Sequence, residues 1–104
     1  MSDSSNILQL IKKSVKATEP TATILVYGTY ARGQQTNDSD IDLLILVDKD
    51  RITPADEDRI TYPLYDIEFE TGTMISPMVY TRHDWANHRV TPFYENVNTE
   101  GKVL

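Results

Sequence analysis

Two aspartates one residue apart, Asp40 and Asp42, open an apolar run from Leu43 to Val47. Strand side chains alternate faces, so this pair would point to one side, about 7 Å apart along the strand. Two carboxylates that close repel unless a cation sits between them. A hard divalent ion, Mg²⁺ or Mn²⁺, takes oxygen ligands, and Mg²⁺ commonly uses one or two carboxylates plus substrate phosphates. Upstream, the apolar run Ile24 to Tyr27 stops at Gly28-Thr29, and Ala31-Arg32-Gly33 follows. Gly28 lets a backbone approach a ligand with no Cβ in the way. Thr29 offers a hydroxyl and an amide to a phosphate, at what could be the first turn of a helix. Arg32 could clamp a phosphate with its planar fork. An aspartate pair at a strand start can also simply cap a turn, and Asp38 and Ser39 add to that option. The strand, Gly28-Thr29 and Arg32-Gly33 ahead of it favour a site for a polyphosphate and its metal.

The run Gly28-Thr29-Tyr30-Ala31-Arg32-Gly33, followed by Ser39-Asp40-Ile41-Asp42-Leu43, resembles the two-part motif of the minimal nucleotidyltransferases in the DNA polymerase β-like superfamily. Thr29 stands where the pattern usually has Ser and keeps the hydroxyl. The resemblance implies an α/β fold, a short mixed sheet of three or four strands with helices mainly on one face, formed by residues 1–104 as one domain. It implies transfer of a nucleotidyl group from a nucleoside triphosphate to a hydroxyl. Asp40 and Asp42 would then be catalytic and hold Mg²⁺ or Mn²⁺. Gly28, Thr29, Arg32 and Ser39 would bind the nucleotide, Ser39 by orienting the turn before the aspartates. Some small members pair with a helical HEPN-type toxin and act as its antitoxin. A HEPN-type partner, or a homo-oligomer, is therefore expected to complete a site this small, and a non-catalytic antitoxin-like subunit is the alternative reading.

The family's chemistry uses a third acid on a neighbouring strand. Laid over Thr73 to Tyr80, its position falls near Met74 or Ser76, and neither is a carboxylate. Glu68 is the best substitute, or Asp66, provided that segment lies beside Asp40 and Asp42. His83 and His88, with Asp84 between them, could just reach one metal but read more simply as surface residues of a helix. There is no Gly-Lys-Ser/Thr after Gly33, so a P-loop is excluded.

The 104 residues suffice for one small core, with 39% hydrophobic and 25% charged residues. No apolar run approaches the length of a membrane span. The absence of cysteine and of a basic, apolar leader at Met1-Ser2-Asp3 suits a cytoplasmic protein. The net charge of −6 is uneven: residues 38–70 carry eleven acids against Lys49, Arg51 and Arg59. Such a chain is a poor general binder of nucleic acid, whereas a metal-dependent nucleotide site tolerates it, because the ion supplies positive charge. Asp56-Glu57-Asp58 reads as a solvated acidic surface.

The elements that must position these residues follow from spacing. Ser4 or Ser5 caps a first helix reaching about Ala17, with Ile7, Leu10, Ile11 and Val15 on its inner face and Lys12, Lys13 and Lys16 mainly on the other. Residues 22–27 and 40–48 read as strands. Both faces of the second are apolar beyond Asp42, which marks it as central. Tyr30 to Gln34 reads as a short helix or turn. Thr53-Pro54 starts a helix that Gly72 closes, kinked or broken near Pro63. The alternation of Tyr65, Ile67 and Phe69 with Asp66, Glu68 and Glu70 would also fit a strand. Thr73 to Tyr80 reads as a third strand with Pro77 at an edge. Thr81 or Asp84 caps a short helix containing Trp85, and Thr91-Pro92 starts another.

Overall fold

The computed structural model of the chain describes residues 3–28, 30–31, 33 and 40–104. Helix α1 spans Asp3–Thr18 and strand β1 Thr23–Tyr27. The central strand β2 is Ile41–Val47, and helix α2 runs Pro54–Thr71. Strand β3 (Ile75–Thr81), helices α3 (Arg82–Ala86) and α4 (Pro92–Glu100) and a short strand β4 (Lys102–Val103) complete the chain. The sheet order is β3-β2-β1-β4, with β1 antiparallel to β2 and β4, and β2 parallel to β3. This is the expected mixed sheet of four strands.

Apolar residues on both faces make β2 the centre of two layers. Ile41, Leu43, Ile45 and Val47 point to one face, where Ile7, Ile11 and Val15 of α1 and Ile60 and Leu64 of α2 cover them. Leu44 and Leu46 point to the other, under Trp85 of α3 and Val97 of α4. The two long helices lie on the first face and the two short ones on the second. Leu10 is half exposed, because the buried stripe of α1 is Ile7, Ile11 and Val15 at four-residue spacing. Helix α1 already begins at Asp3, so Ser4 and Ser5 lie within it instead of preceding it.

Helix α2 is one uninterrupted element through Pro63. Pro63 removes one backbone donor, but both ends are capped and Ile60, Thr61 and Leu64 are buried against the sheet. The Thr53 hydroxyl accepts from the Asp56 amide at 3.1 Å, and the Asp56 carboxylate accepts from the Thr53 amide at 3.1 Å. Gly72 closes the helix in the left-handed region, its amide donating to the Glu68 carbonyl. The strand alternative fails because burial follows Ile60, Leu64 and Ile67, a helical spacing, and leaves Tyr65 and Phe69 outside.

Strand β3 is a sheet edge, and its outer side is blunted. The Ile41 amide donates to the Met74 carbonyl at 2.9 Å, so that carbonyl faces β2. Across the trans peptide the Ile75 amide must point the opposite way, to the open edge. There it donates to the Glu68 carboxylate at 2.7 Å. Two residues on, Pro77 has no amide to offer. Thr81 and Thr91 cap α3 and α4, accepting from the amides of Asp84 and Tyr94. Among the described residues no helix is long and apolar enough to cross a membrane.

Candidate functional site

The end of β1 and the beginning of β2 meet side by side. Tyr27 pairs with Asp42 across the antiparallel ladder, and Asp42 pairs with Ser76 across the parallel one. Tyr27, Asp42 and Ser76 therefore form a row across three strands on one face of the sheet. Gly28 follows Tyr27 with φ +75°, a conformation that glycine adopts freely. A Cβ at Gly28 would stand 2.6 Å from Asp42 Oδ2, closer than any real contact. Glycine here is thus required twice, for the backbone turn and for the carboxylate that occupies the space. Asp40 is exposed just ahead of the strand, and Asp42 is half-buried.

The electrostatics suit a cation. Burial pushes the Asp42 carboxyl above the ordinary carboxylate range, and the charge of Asp40 adds to the effect. Burial also raises the Tyr27 phenol, with the neighbouring Asp42 and then Tyr80 contributing. The phenol reaches across β2 and donates to Met78 Sδ at 3.7 Å, walling Asp42 off from the aromatic layer behind it. That layer contains Phe93, edge-on to Tyr27 at 5.5 Å, and Trp85. Two carboxylates close enough to interact, Asp42 half-desolvated and repelled by Asp40, are a donor set that a hard divalent ion relieves. Among the described residues no cluster of three or more His, Asp or Glu groups is placed to hold a metal. Further ligands would have to come from substrate oxygens, as Mg²⁺ commonly arranges.

The structure brings together Gly28, Asp40 and Asp42. Thr29, Arg32 and Ser39 lie outside the described residues. Tyr30, Ala31 and Gly33 belong to a turn, with Ala31 buried in the main core. Glu68 is not brought to the aspartates. Its carboxylate caps the outer edge of β3, with that whole strand between it and Asp42. Asp66 is exposed on α2. The residue beside Asp42 on the neighbouring strand is Ser76, so the place of the third acid holds a hydroxyl. His83 and His88 form no metal pair: the His88 ring packs on Trp85 and Tyr80, and its Nδ1 lies 2.7 Å from the Asp84 carbonyl. Sequence reasoning missed Tyr27 and Met78 as walls of the site. The apolar run announced Tyr27 as a strand residue, but only the pairing register sets it against Asp42.

A separate open cleft of about 840 Å³ lies at the far end of β2, lined by Asp48, Lys49, Arg82 and His83 among others. Its charges are largely paired internally, Arg82 with Asp48 at 2.8 Å and Lys49 with Asp56 at 3.3 Å.

Comparison with known proteins identifies the family. Residues 8–83 match the nucleotidyltransferase domain family. A Methanocaldococcus jannaschii protein named "Putative protein adenylyltransferase" is 32% identical over 81 residues, covering 78% of this chain and 75% of that protein. A second protein of the same name and organism is 39% identical over 49 residues, covering 47% of this chain and 49% of its own length. A crystal structure described as a toxin-antitoxin with AMP-PNP superposes with a TM-score of 0.65 at 20% identity, covering 91% of this chain and 69% of that one. At that identity the superposition speaks for the fold alone. The chain belongs to the nucleotidyltransferase domain family.

Proposed function

We propose that the chain, acting as one minimal domain, is a metal-dependent nucleotidyltransferase that modifies a hydroxyl on a protein partner. The observation that carries this reading is the packing of Gly28 against Asp42, beside Asp40, in a chain of this family. Asp40 and Asp42 would hold Mg²⁺ or Mn²⁺, which when bound offsets triphosphate charge and polarises the phosphorus under attack. Gly28 keeps backbone and carboxylate close. Thr29 and Arg32 supply a hydroxyl, an amide and a guanidinium to the phosphates, and Ser39 orients the turn before the aspartates. Transfer forms a bond between the acceptor oxygen and the α-phosphorus and releases pyrophosphate. The names of the Methanocaldococcus jannaschii relatives favour ATP as donor and a protein as acceptor.

A second reading has its own support. Ser76 in place of a third acid, with Glu68 engaged at the sheet edge, leaves no carboxylate on β3 to take the acceptor proton. A non-catalytic, antitoxin-like subunit that neutralises a HEPN-type helical partner by contact would not need one. Calorimetric titration with a non-hydrolysable ATP analogue and Mn²⁺, on the parent chain and on Asp40→Asn/Asp42→Asn, separates the two. Metal-dependent binding by the parent alone supports the nucleotide site. Absence of binding in both overturns it and leaves the contact reading.

A further inference from the structure

Ser76 is the residue of β3 that stands beside Asp42, on the same face of the sheet. Met74 and Met78, two residues away on either side, are exposed and apolar. Ser76 is itself half-buried, and among the described residues nothing holds its hydroxyl in a hydrogen bond. The row Tyr27, Asp42, Ser76 sets β1 on one side of the aspartate and β3 on the other. Adjacent strands lie about 4.8 Å apart, so the hydroxyl is borne one strand spacing from Asp42. The two phenols near it are engaged: Tyr27 donates to Met78 Sδ, and Tyr80 packs on Trp85 and His88.

We propose that the chain nucleotidylates itself, with the Ser76 hydroxyl as acceptor. The inference rests on the nucleotide site proposed above and names the acceptor nearest to it. In that site the triphosphate is held from Gly28, directly after β1, and from the aspartates at the head of β2. Displacement at phosphorus is in line, with the attacking and leaving oxygens on opposite sides. When pyrophosphate leaves towards β1, the attacking oxygen comes from the β3 side of Asp42, and Ser76 is the hydroxyl there. Tyr27 lies on the leaving side, which rules out its phenol. Ser76 Oγ forms a bond to the α-phosphorus, and the bond from that phosphorus to the oxygen bridging the β-phosphate breaks. Pyrophosphate leaves with the electron pair, and the hydroxyl proton passes to water. No carboxylate of β3 assists, and a missing general base costs about 10²–10⁴-fold. Against a common turnover of about 10 s⁻¹, the transfer then takes on the order of minutes. The product fills the space beside Asp42, so a modified chain takes no second nucleotide. The modification limits itself and leaves a subunit that acts by contact alone.

Intact-mass spectrometry of the purified chain after incubation with ATP and Mn²⁺, with fragmentation to locate the adduct, tests it. The expected result is a single adenylyl group per chain, on Ser76. Its rate should be independent of chain concentration, because acceptor and aspartates belong to one sheet. Ser76→Thr keeps a hydroxyl and should keep the adduct, whereas Ser76→Ala and Asp42→Asn should lose it. Calorimetry with the non-hydrolysable ATP analogue and Mn²⁺ gives a readout apart from transfer. Ser76→Ala should bind the analogue as the parent does. The parent should lose that binding after incubation with ATP and Mn²⁺ and desalting, and Ser76→Ala should keep it. An adduct that persists in Ser76→Ala, maps to another residue, or forms faster at higher chain concentration would overturn the proposal. Analogue binding by the parent without any adduct would also overturn it and leave the nucleotide site standing. Absence of analogue binding would overturn both readings together.

Discussion

Gly28→Ala probes the link between backbone and carboxylate directly. The φ of +75° costs an L-residue about 1 kcal/mol. The new Cβ would stand 2.6 Å from Asp42 Oδ2, where ordinary contact begins at 3.4 Å. The carboxylate must swing away, at about 1 kcal/mol for a poorer rotamer. The expected loss is about 2 kcal/mol, a fall in Tm of roughly 8–16 °C for a domain of this size. Gly72→Ala is the control, since its φ is +73° with nothing within 4 Å of the added atom, and it should lose about 1 kcal/mol. In an Asp42→Ala background the second part disappears, so Gly28→Ala should then match Gly72→Ala. Urea unfolding followed by circular dichroism measures all four variants. The displaced carboxylate should also weaken Mn²⁺ binding on the order of tenfold or more. Equal losses for Gly28→Ala and Gly72→Ala, with Mn²⁺ affinity intact, would refute the claim that Gly28 makes room for Asp42.

The raised Asp42 carboxyl sets a pH dependence. Between the unfolded value of 3.8 and its higher folded value the folded state holds more protons, so this group lowers stability as pH rises through that window. Asp42→Asn should therefore be more stable than the parent at pH 7, the gain vanishing below pH 3.8, while Mn²⁺-dependent nucleotide binding is lost; urea midpoints across pH and calorimetry check both. Asp56 behaves oppositely. Thr53's amide, then its hydroxyl, hold its carboxyl at about 2, so its contribution is present above 3.8 and lost as pH falls towards 2, a dependence that Asp56→Asn should remove from acid-unfolding curves. Thr53→Ala should cost about 1 kcal/mol in urea unfolding at pH 7 through loss of the helix cap. Ile45→Ala, fully buried on the central strand, should cost about 3 kcal/mol in the same measurement.

Much of this protein is decided locally, and so was legible in the sequence. The two-sided apolar run of β2, with Asp42 near its head, follows from strand periodicity. Thr53-Pro54, Gly72 and Thr91-Pro92 mark helix ends because capping depends on residues three or four apart. Where local signals conflicted, tertiary packing decided. Residues 64–70 carry both a two-residue and a helical period, and burial of Ile60 and Leu64 against β2 selected the helix across Pro63. Leu10 fits the apolar face of α1 by type, but helix rotation against the sheet left it outside. Strand register lay beyond the sequence entirely, since it depends on residues far apart in the chain. That register set Tyr27 and Ser76 on either side of Asp42 and gave the third-acid position a hydroxyl. It also turned the Ile75 amide outward to Glu68, removing from the site the carboxylate that sequence reasoning had offered it.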